Sequence, residues 1–254
     1  MRGAGADKPT FACVRLPDGR VGNYVAGSAR PVRDDPMDTV PHGTIDLRQA
    51  LVVSCNAYFA QLALRLGPQP LLDAASLFQI AVARTATASG LQPTVAQAGY
   101  GQGQVIVSPL KMARVAAAVA AHGVVPPVTW MRAGEPGRAG GAGGSADSED
   151  ARPVERFLSS AGAARLSRYL RDVVTSGTGR VLASNPTAIA GKTGTAEIQD
   201  GRAHAWFAGF APYDSDRHRI AFSIVVEHAG YGGRVAAPIA GEIVSAAREI
   251  GWFK

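Results

Sequence analysis

The sequence lacks several features that would place a protein in a class at once. It has no run of 18 apolar residues, the length that a membrane-spanning helix needs, and no signal-peptide pattern. It has only two cysteines, Cys13 and Cys55, which are too few to define a redox compartment. Each is expected to be a buried structural thiol, and a disulfide between them stays open.

The pattern of charged residues and histidines argues against two kinds of site, a nucleic-acid interface and a metal site. The net charge is +6, but the arginines are scattered and form no basic run with interleaved aromatic residues, so a nucleic-acid partner is not expected. A cationic surface suits anionic cell-wall polymers or lipid headgroups, and it is equally typical of a merely basic protein. The five histidines show no close ligand spacing and no carboxylate cluster joins them, so we predict no metal and no cofactor.

The most informative stretch is AGKTGTAE at 190–197. The end of a phosphate-binding loop would need a glycine at position 186, where Pro186 offers no N–H, so a nucleotide site is not favoured. Apolar runs at 189–198, 204–211 and 219–227, with a turn at Asp200-Gly201, predict three adjacent antiparallel strands. An edge strand of this kind can pair with an extended peptide, while the ammonium group of Lys192 supplies positive charge. Gly194 lets a ligand approach the backbone, and the N–H near Thr195 could face an oxyanion.

A second polar group is Ser54-Cys55-Asn56, which interrupts an apolar segment. The Ser54 hydroxyl can relay a proton, and the Asn56 amide can both donate to and accept from a substrate amide. Apolar residues at helical spacing on both sides predict that the triplet lies between two helices. A simple turn between helices explains the triplet equally well when it is taken alone.

Together these blocks resemble the transpeptidase domain of class B penicillin-binding proteins over nearly the whole chain. The supporting segments, in order, are HGTIDL at 42–47, SCNAYF at 54–59, GYGQG at 99–103, SPLKMA at 108–113, GKTGTAE at 191–197 and HAWFAG at 204–209. The resemblance implies that Ser54 shuttles protons, Asn56 holds the substrate amide and Lys192 tunes the site electrostatically. It also implies that Thr193, Gly194 and Thr195 bind the substrate carboxylate and backbone, with the Thr195 N–H completing the oxyanion hole.

The family's nucleophile lies in an S-x-x-K motif that precedes both other motifs. The lysines of this chain are Lys8, Lys111, Lys192 and Lys254, and only Lys111 has a serine three positions before it, Ser108. This pair lies between the other two motifs, and Ser108-Pro109 followed by an apolar run is typical of a helix start. We therefore interpret Ser108 as a helix cap. The nucleophile segment is expected to be missing, as in an N-terminally truncated transpeptidase domain, and the 254-residue chain is expected to be inactive.

The predicted fold is of the α/β class, α+β in type and similar to penicillin-binding proteins and serine β-lactamases, with an antiparallel sheet packed by helices and an all-helical lobe. We expect one partial domain over 1–254, with a helical lobe at about 44–122 and a sheet lobe at about 124–131 and 177–254. The Gly- and Ser-rich stretch at about 132–153 is expected to be a disordered loop. Helices are predicted at 159–176 and 235–250.

The function implied by the resemblance is serine acyl transfer on D-Ala-D-Ala stem peptides of peptidoglycan, with β-lactams as substrate mimics. Cell-wall synthesis and division proteins are the expected partners, at the extracytoplasmic face of the bacterial membrane, and a missing N-terminal segment would supply the anchor. The alternative is a non-catalytic module of the cell-wall machinery that keeps the fold. A β-lactamase or carboxypeptidase is a third, less favoured interpretation.

Overall fold

The computed structural model describes residues 9–28, 30–128, 155–198 and 201–253. The predicted disordered loop at 132–153 and Asp200 of the predicted turn lie outside these ranges. The strands are β1 Phe11–Arg15, β2 Val21–Asn23, β3 Val32–Arg33, β4 Gly43–Ile45, β5 Ala190–Ala196, β6 His204–Ala211 and β7 Ile220–Val226. The helices are α1 Leu47–Val53, α2 Asn56–Leu66, α3 Pro68–Leu77, α4 Ala88–Leu91, α5 Val95–Gly99, α6 Pro109–Ala120, α7 Ser160–Ser176 and α8 Ala236–Glu249.

The three C-terminal strands form an antiparallel sheet in the order β5-β6-β7, which confirms the predicted arrangement. Lys192 pairs with Ala208 and Thr195 with Ala205, so β5 keeps a full ladder on one side only and is an edge strand. Side chains alternate across a strand. Phe207 accordingly packs with Val244 of α8 on one face, while Phe210 packs with Val119 of α6 and Leu170 of α7 on the other. The sheet is thus covered by helices on both faces.

Helix α6 begins at the predicted position, and helices α7 and α8 begin and end close to the predicted positions. Ser159 caps α7, its hydroxyl accepting a hydrogen bond from the Gly162 N–H, which relieves one unpaired donor of the first turn. Helix α6 belongs to the range predicted for the helical lobe, yet its buried face packs on the C-terminal sheet. In the range 124–131, which was predicted for the sheet lobe, the described part forms a single bridge between Val124 and Arg156.

A second sheet, in the order β3-β2-β1-β4, was not predicted. Its strands have two to five residues, too few to show a clear alternation in the sequence. This sheet packs on α2, where the fully buried Tyr58 meets Phe11 edge to face with ring centroids 5.2 Å apart. Among the described residues no helix is both long enough and apolar enough to cross a lipid bilayer.

Candidate active site

Ser54 lies at the junction of two helices, as predicted. Asp46 and Gln49 form a reciprocal capping box that fixes the start of α1, and Ser54 ends this helix in the left-handed conformation with φ of 60°. Cys55 then caps α2, its sulfur accepting a hydrogen bond from the Tyr58 N–H. A non-glycine residue with positive φ is uncommon and marks a position where the surroundings fix the backbone. The Ser54 hydroxyl is therefore held by structure on both sides.

Lys192 contacts Ser54 from β5, the edge strand of the C-terminal sheet. Its Nζ donates to Ser54 Oγ at 2.6 Å and to the Thr193 carbonyl oxygen at 2.8 Å. Burial of the ammonium group lowers the pKa of Lys192 from its ordinary value to about 8. Part of the side chain remains exposed, so the ammonium group is desolvated at the wall of an open site. A lysine with this pKa, bonded to a hydroxyl, can give or take a proton near neutral pH.

The hydroxyl of Thr193 is held from beside the strand. Thr193 is 7% exposed, and its Oγ1 lies 2.6 Å from Thr178 Oγ1, a hydrogen bond in which either oxygen could be the donor. Thr178 belongs to the Gly-Thr-Gly segment after α7, to which the sequence-based interpretation gave no role in the site. Gly177 in this segment is a sequence signal for a close backbone contact, since glycine admits neighbours that a side chain would exclude.

Gly194 lies in β5 opposite Trp206. A Cβ atom added to Gly194 would lie 3.1 Å from Trp206 Cβ, and a Cβ atom on the neighbouring Gly232 would lie 2.3 Å from the Gly194 carbonyl oxygen. The lack of a side chain at Gly232 thus lets the 231–234 loop lie against the strand, and the lack of one at Gly194 leaves room for Trp206. Thr193, Gly194 and Thr195 all line the same cleft as Lys192.

Asn56 is the first residue of α2, and its amide nitrogen donates to the Arg33 carbonyl oxygen at 3.1 Å. Asp34, which follows Arg33 in the chain, is buried, with only 2% of its surface exposed. One Asp34 carboxylate oxygen accepts the Ala57 N–H at 3.1 Å, while the other accepts both thiols, Cys13 at 3.0 Å and Cys55 at 3.1 Å. The Ser54-Cys55-Asn56 turn is therefore anchored from beneath by one buried carboxylate.

His42 completes this buried group, its Nδ1 lying 3.3 Å from the same Asp34 oxygen. The proximity of Asp34 first, and then of Cys13, raises the pKa of His42 to about 10, because both groups favour the protonated imidazole. Although burial raises the pKa of the Asp34 carboxyl, the nearby His42 and the hydrogen bonds from the two thiols lower it, and the net direction is down.

One ligand atom from each of Cys13, Asp34, His42 and Cys55 lies within 4.8 Å of the others. Two thiols, an imidazole and a carboxylate form a donor set that zinc accepts in tetrahedral geometry, after loss of the protons they carry. The reasoning from spacing missed this cluster because its members come from four separate segments. The lack of close ligand spacing therefore does not exclude a metal, contrary to the interpretation of the sequence. Both cysteines are buried and unpaired, so the disulfide that the sequence left open is not formed.

Above these groups opens a cleft of about 1000 Å³ between the two sheets. All six predicted site residues line it: Ser54, Asn56, Lys192, Thr193, Gly194 and Thr195. The structure also adds residues that the sequence did not single out, namely Tyr100, Thr178, Arg180, Tyr231 and Arg234. A cleft with cationic and hydroxyl groups around an open strand edge suits an anionic, peptide-like ligand.

Ser108 has a different role, and it does not line this cleft. Its hydroxyl accepts the Lys111 N–H at 3.4 Å at the start of α6, and Pro109 occupies the first helical position. Lys111 Nζ donates to the Gln79 carbonyl oxygen and so points away from the serine hydroxyl. The interpretation of Ser108 as a helix cap is confirmed.

The chain belongs to the penicillin-binding protein transpeptidase domain family, whose model matches residues 23–245. Among its relatives, peptidoglycan D,D-transpeptidase PbpA of Mycobacterium tuberculosis is 30% identical over an alignment of 242 residues that covers 85% of this chain and 45% of the relative. Peptidoglycan D,D-transpeptidase MrdA of Acinetobacter baumannii is 26% identical over an alignment of 252 residues that covers 84% of this chain and 36% of the relative. The chain thus spans less than half the length of these relatives.

Solved structures show the same fold. The D,D-transpeptidase domain of a peptidoglycan glycosyltransferase from Eggerthella lenta matches with a TM-score of 0.70 at 24% identity, covering 97% of this chain and 61% of that one. The ceftriaxone acyl-enzyme complex of penicillin-binding protein A from M. tuberculosis matches with a TM-score of 0.69 at 23% identity, covering 96% and 56%. The predicted α+β fold of the penicillin-binding proteins is confirmed.

Proposed function

We propose that this chain carries most of the active site of a peptidoglycan D,D-transpeptidase that acts by serine acyl transfer on D-Ala-D-Ala stem peptides. The single observation that carries the proposal is the 2.6 Å contact between Lys192 Nζ and Ser54 Oγ across the cleft. This contact joins the two polar motifs that the sequence singled out, and it lies beside an open strand edge. The family membership and the names of the relatives support the same reaction.

In this mechanism Ser54 relays a proton between Lys192 and the departing or attacking amine, because a hydroxyl can accept and donate at once. Asn56 orients the substrate amide. The hydroxyls of Thr193 and Thr195 hold the terminal carboxylate, Gly194 admits the peptide backbone, and the Thr195 N–H stabilises the oxyanion. The acylated serine belongs to an S-x-x-K segment, and the cleft receives it. β-Lactams enter as mimics of the D-Ala-D-Ala end.

Peptidoglycan lies outside the cytoplasmic membrane, so we place the domain at the extracytoplasmic face, with cell-wall synthesis or division proteins as partners. The relatives' association with peptidoglycan supports this location.

Intact-mass analysis after incubation with a fluorescent penicillin tests the proposal. We expect no adduct on the 254-residue chain, and one adduct per molecule on a chain extended upstream through its open reading frame to an S-x-x-K segment. In the extended chain, Lys192→Met should slow acylation at least about 100-fold, since it removes the amine that contacts Ser54 Oγ. Lys111→Met is the matched control and should acylate at the unchanged rate.

A second candidate is a non-catalytic module of the cell-wall machinery. One observation favours it for the 254-residue chain: its sole Ser-x-x-Lys pair caps a helix, and Lys111 bonds elsewhere. A folded extended chain that forms no adduct would support this module and contradict the transpeptidase. An adduct that maps to Ser108 would contradict both the cap interpretation and the expected inactivity of the 254 residues.

A further inference from the structure

Thr178 joins three segments that build the site. Its N–H donates to the Val52 carbonyl oxygen at 3.2 Å, two residues before Ser54. Its hydroxyl lies 2.6 Å from Thr193 Oγ1 on the edge strand. Its own carbonyl oxygen lies close to Gly233, where an added Cβ atom would approach it to 2.5 Å. One residue thus contacts the end of α1, strand β5 and the loop before α8.

The hydroxyl pair has a consequence for ligand binding. A threonine hydroxyl has one proton, so Thr193 cannot donate to Thr178 and to a ligand carboxylate at the same time. If Thr178 donates to Thr193 Oγ1, the Thr193 proton is directed elsewhere. Thr193 is almost fully buried while Thr178 is exposed at the cleft wall. The exposed hydroxyl is therefore placed to fix the direction of the buried one.

We propose that Thr178 is a positioning residue, whose hydroxyl donates to Thr193 Oγ1 and so directs the Thr193 proton at the substrate carboxylate. The inference rests on the proposed function, because it assumes that Thr193 binds that carboxylate. Donation along a chain of hydroxyls also strengthens each bond through mutual polarisation. Without the Thr178 hydroxyl, Thr193 Oγ1 loses this polarising donor, and the direction of its own proton is no longer fixed.

The test compares benzylpenicillin with its methyl ester, in which the carboxylate is blocked. In the extended chain, Thr178→Val should lower the second-order acylation rate for benzylpenicillin about tenfold, an effect of the size of one hydrogen bond, because the Thr193 bond to the carboxylate is weakened. The ester reacts more slowly with every variant, and Thr178→Val should not slow it further. Thr178→Ser keeps the hydroxyl and should restore the rate with benzylpenicillin.

Thr175→Val is the matched control, since Thr175 lies on the exposed surface of α7 outside the cleft and should leave both rates unchanged. Melting temperatures of all variants establish that they fold. Equal slowing of penicillin and ester by Thr178→Val would indicate a merely structural role and overturn the inference, as would no slowing at all. A folded wild type that neither compound acylates would overturn the proposed function and this inference with it.

Discussion

Lys192 places a buried amine with a lowered pKa beside Ser54. Its ammonium group is surrounded by protein at the cleft wall, and desolvation disfavours the charged form. The pKa of about 8 lies below the ordinary 10.5, so above pH 8 the folded protein holds a neutral amine beside Ser54 while an unfolded chain would still hold the cation. Proton exchange with Ser54 is therefore available near physiological pH.

We expect the Lys192 signal to titrate near pH 8 in the folded 254-residue chain. Biosynthetic labelling with ¹³C-lysine leaves each amine unmodified, and carbon NMR then follows the Cε signal of every lysine as the pH is raised. The chain has few lysines, so the spectrum stays simple. Loss of one signal in Lys192→Arg assigns it. A Lys192 signal that titrates near 10.5 would show that the ammonium group is well solvated.

At the scale of elements, the sequence predicted the helices and strands that are long enough to show their own hydrophobic periodicity. Strands β5 to β7 have seven or eight residues, and α7 and α8 show an apolar face over 17 and 14 residues. The sheet of β1 to β4 was not predicted, because its short strands pair with partners up to 34 positions away in the sequence, as Phe11 does with Ile45. Patterns within a segment carry no information about such partners.

The candidate site divides in the same way. The six predicted residues stand in two recognisable motifs, and the structure brings both to one cleft. The Asp34 cluster and Thr178 were missed because each acts through contacts between elements. Asp34 receives hydrogen bonds from β1 and from the start of α2, and no spacing in the sequence indicates that convergence.

The four-residue cluster beneath the Ser54 turn yields a prediction for metal binding. Zinc should raise the melting temperature of the 254-residue chain by about 5–10 °C at a free concentration about a hundredfold above its dissociation constant. Binding would join β1, the β3–β4 connection and α2 through one ion, and the unfolded chain has no such site. Differential scanning calorimetry with and without zinc measures the shift.

The double variant Cys13→Ser/Cys55→Ser should lose this zinc-dependent shift, since serine hydroxyls are poor zinc ligands. Asp18→Asn is the matched control, because Asp18 is an exposed carboxylate paired with Arg33 in the same sheet region. It should keep the full shift. If zinc did not change the melting temperature of the wild-type chain, the cluster would act only as a hydrogen-bonded support for the Ser54-Cys55-Asn56 turn.

At the scale of the whole molecule, the site exists only where two distant parts of the chain meet. Ser54 and Lys192 are 138 positions apart, and the segment that keeps their supports together is 177–179. Gly177 makes this contact possible, since an added Cβ atom would lie 2.3 Å from the Val52 carbonyl oxygen. A backbone oxygen cannot move aside as a flexible side chain can.

Gly177→Ala should therefore destabilise the protein by about 1–3 kcal/mol, the range for overpacked positions, and widen the gap between Ser54 and Lys192. Urea unfolding measures the first effect. The lysine titration measures the second, because a lysine released from its buried contact should titrate closer to 10.5.

Gly162→Ala in α7 is the matched control. A Cβ atom added to Gly162 would have the Ser159 hydroxyl, at 3.2 Å, as its nearest neighbour. Because alanine also favours a helix, the free energy of unfolding should change by less than about 1 kcal/mol. If Gly177→Ala left both stability and the Lys192 pKa unchanged, the contact at Val52 would not be what holds the two motifs together, and the apposition would have to come from the Lys192–Ser54 bond itself.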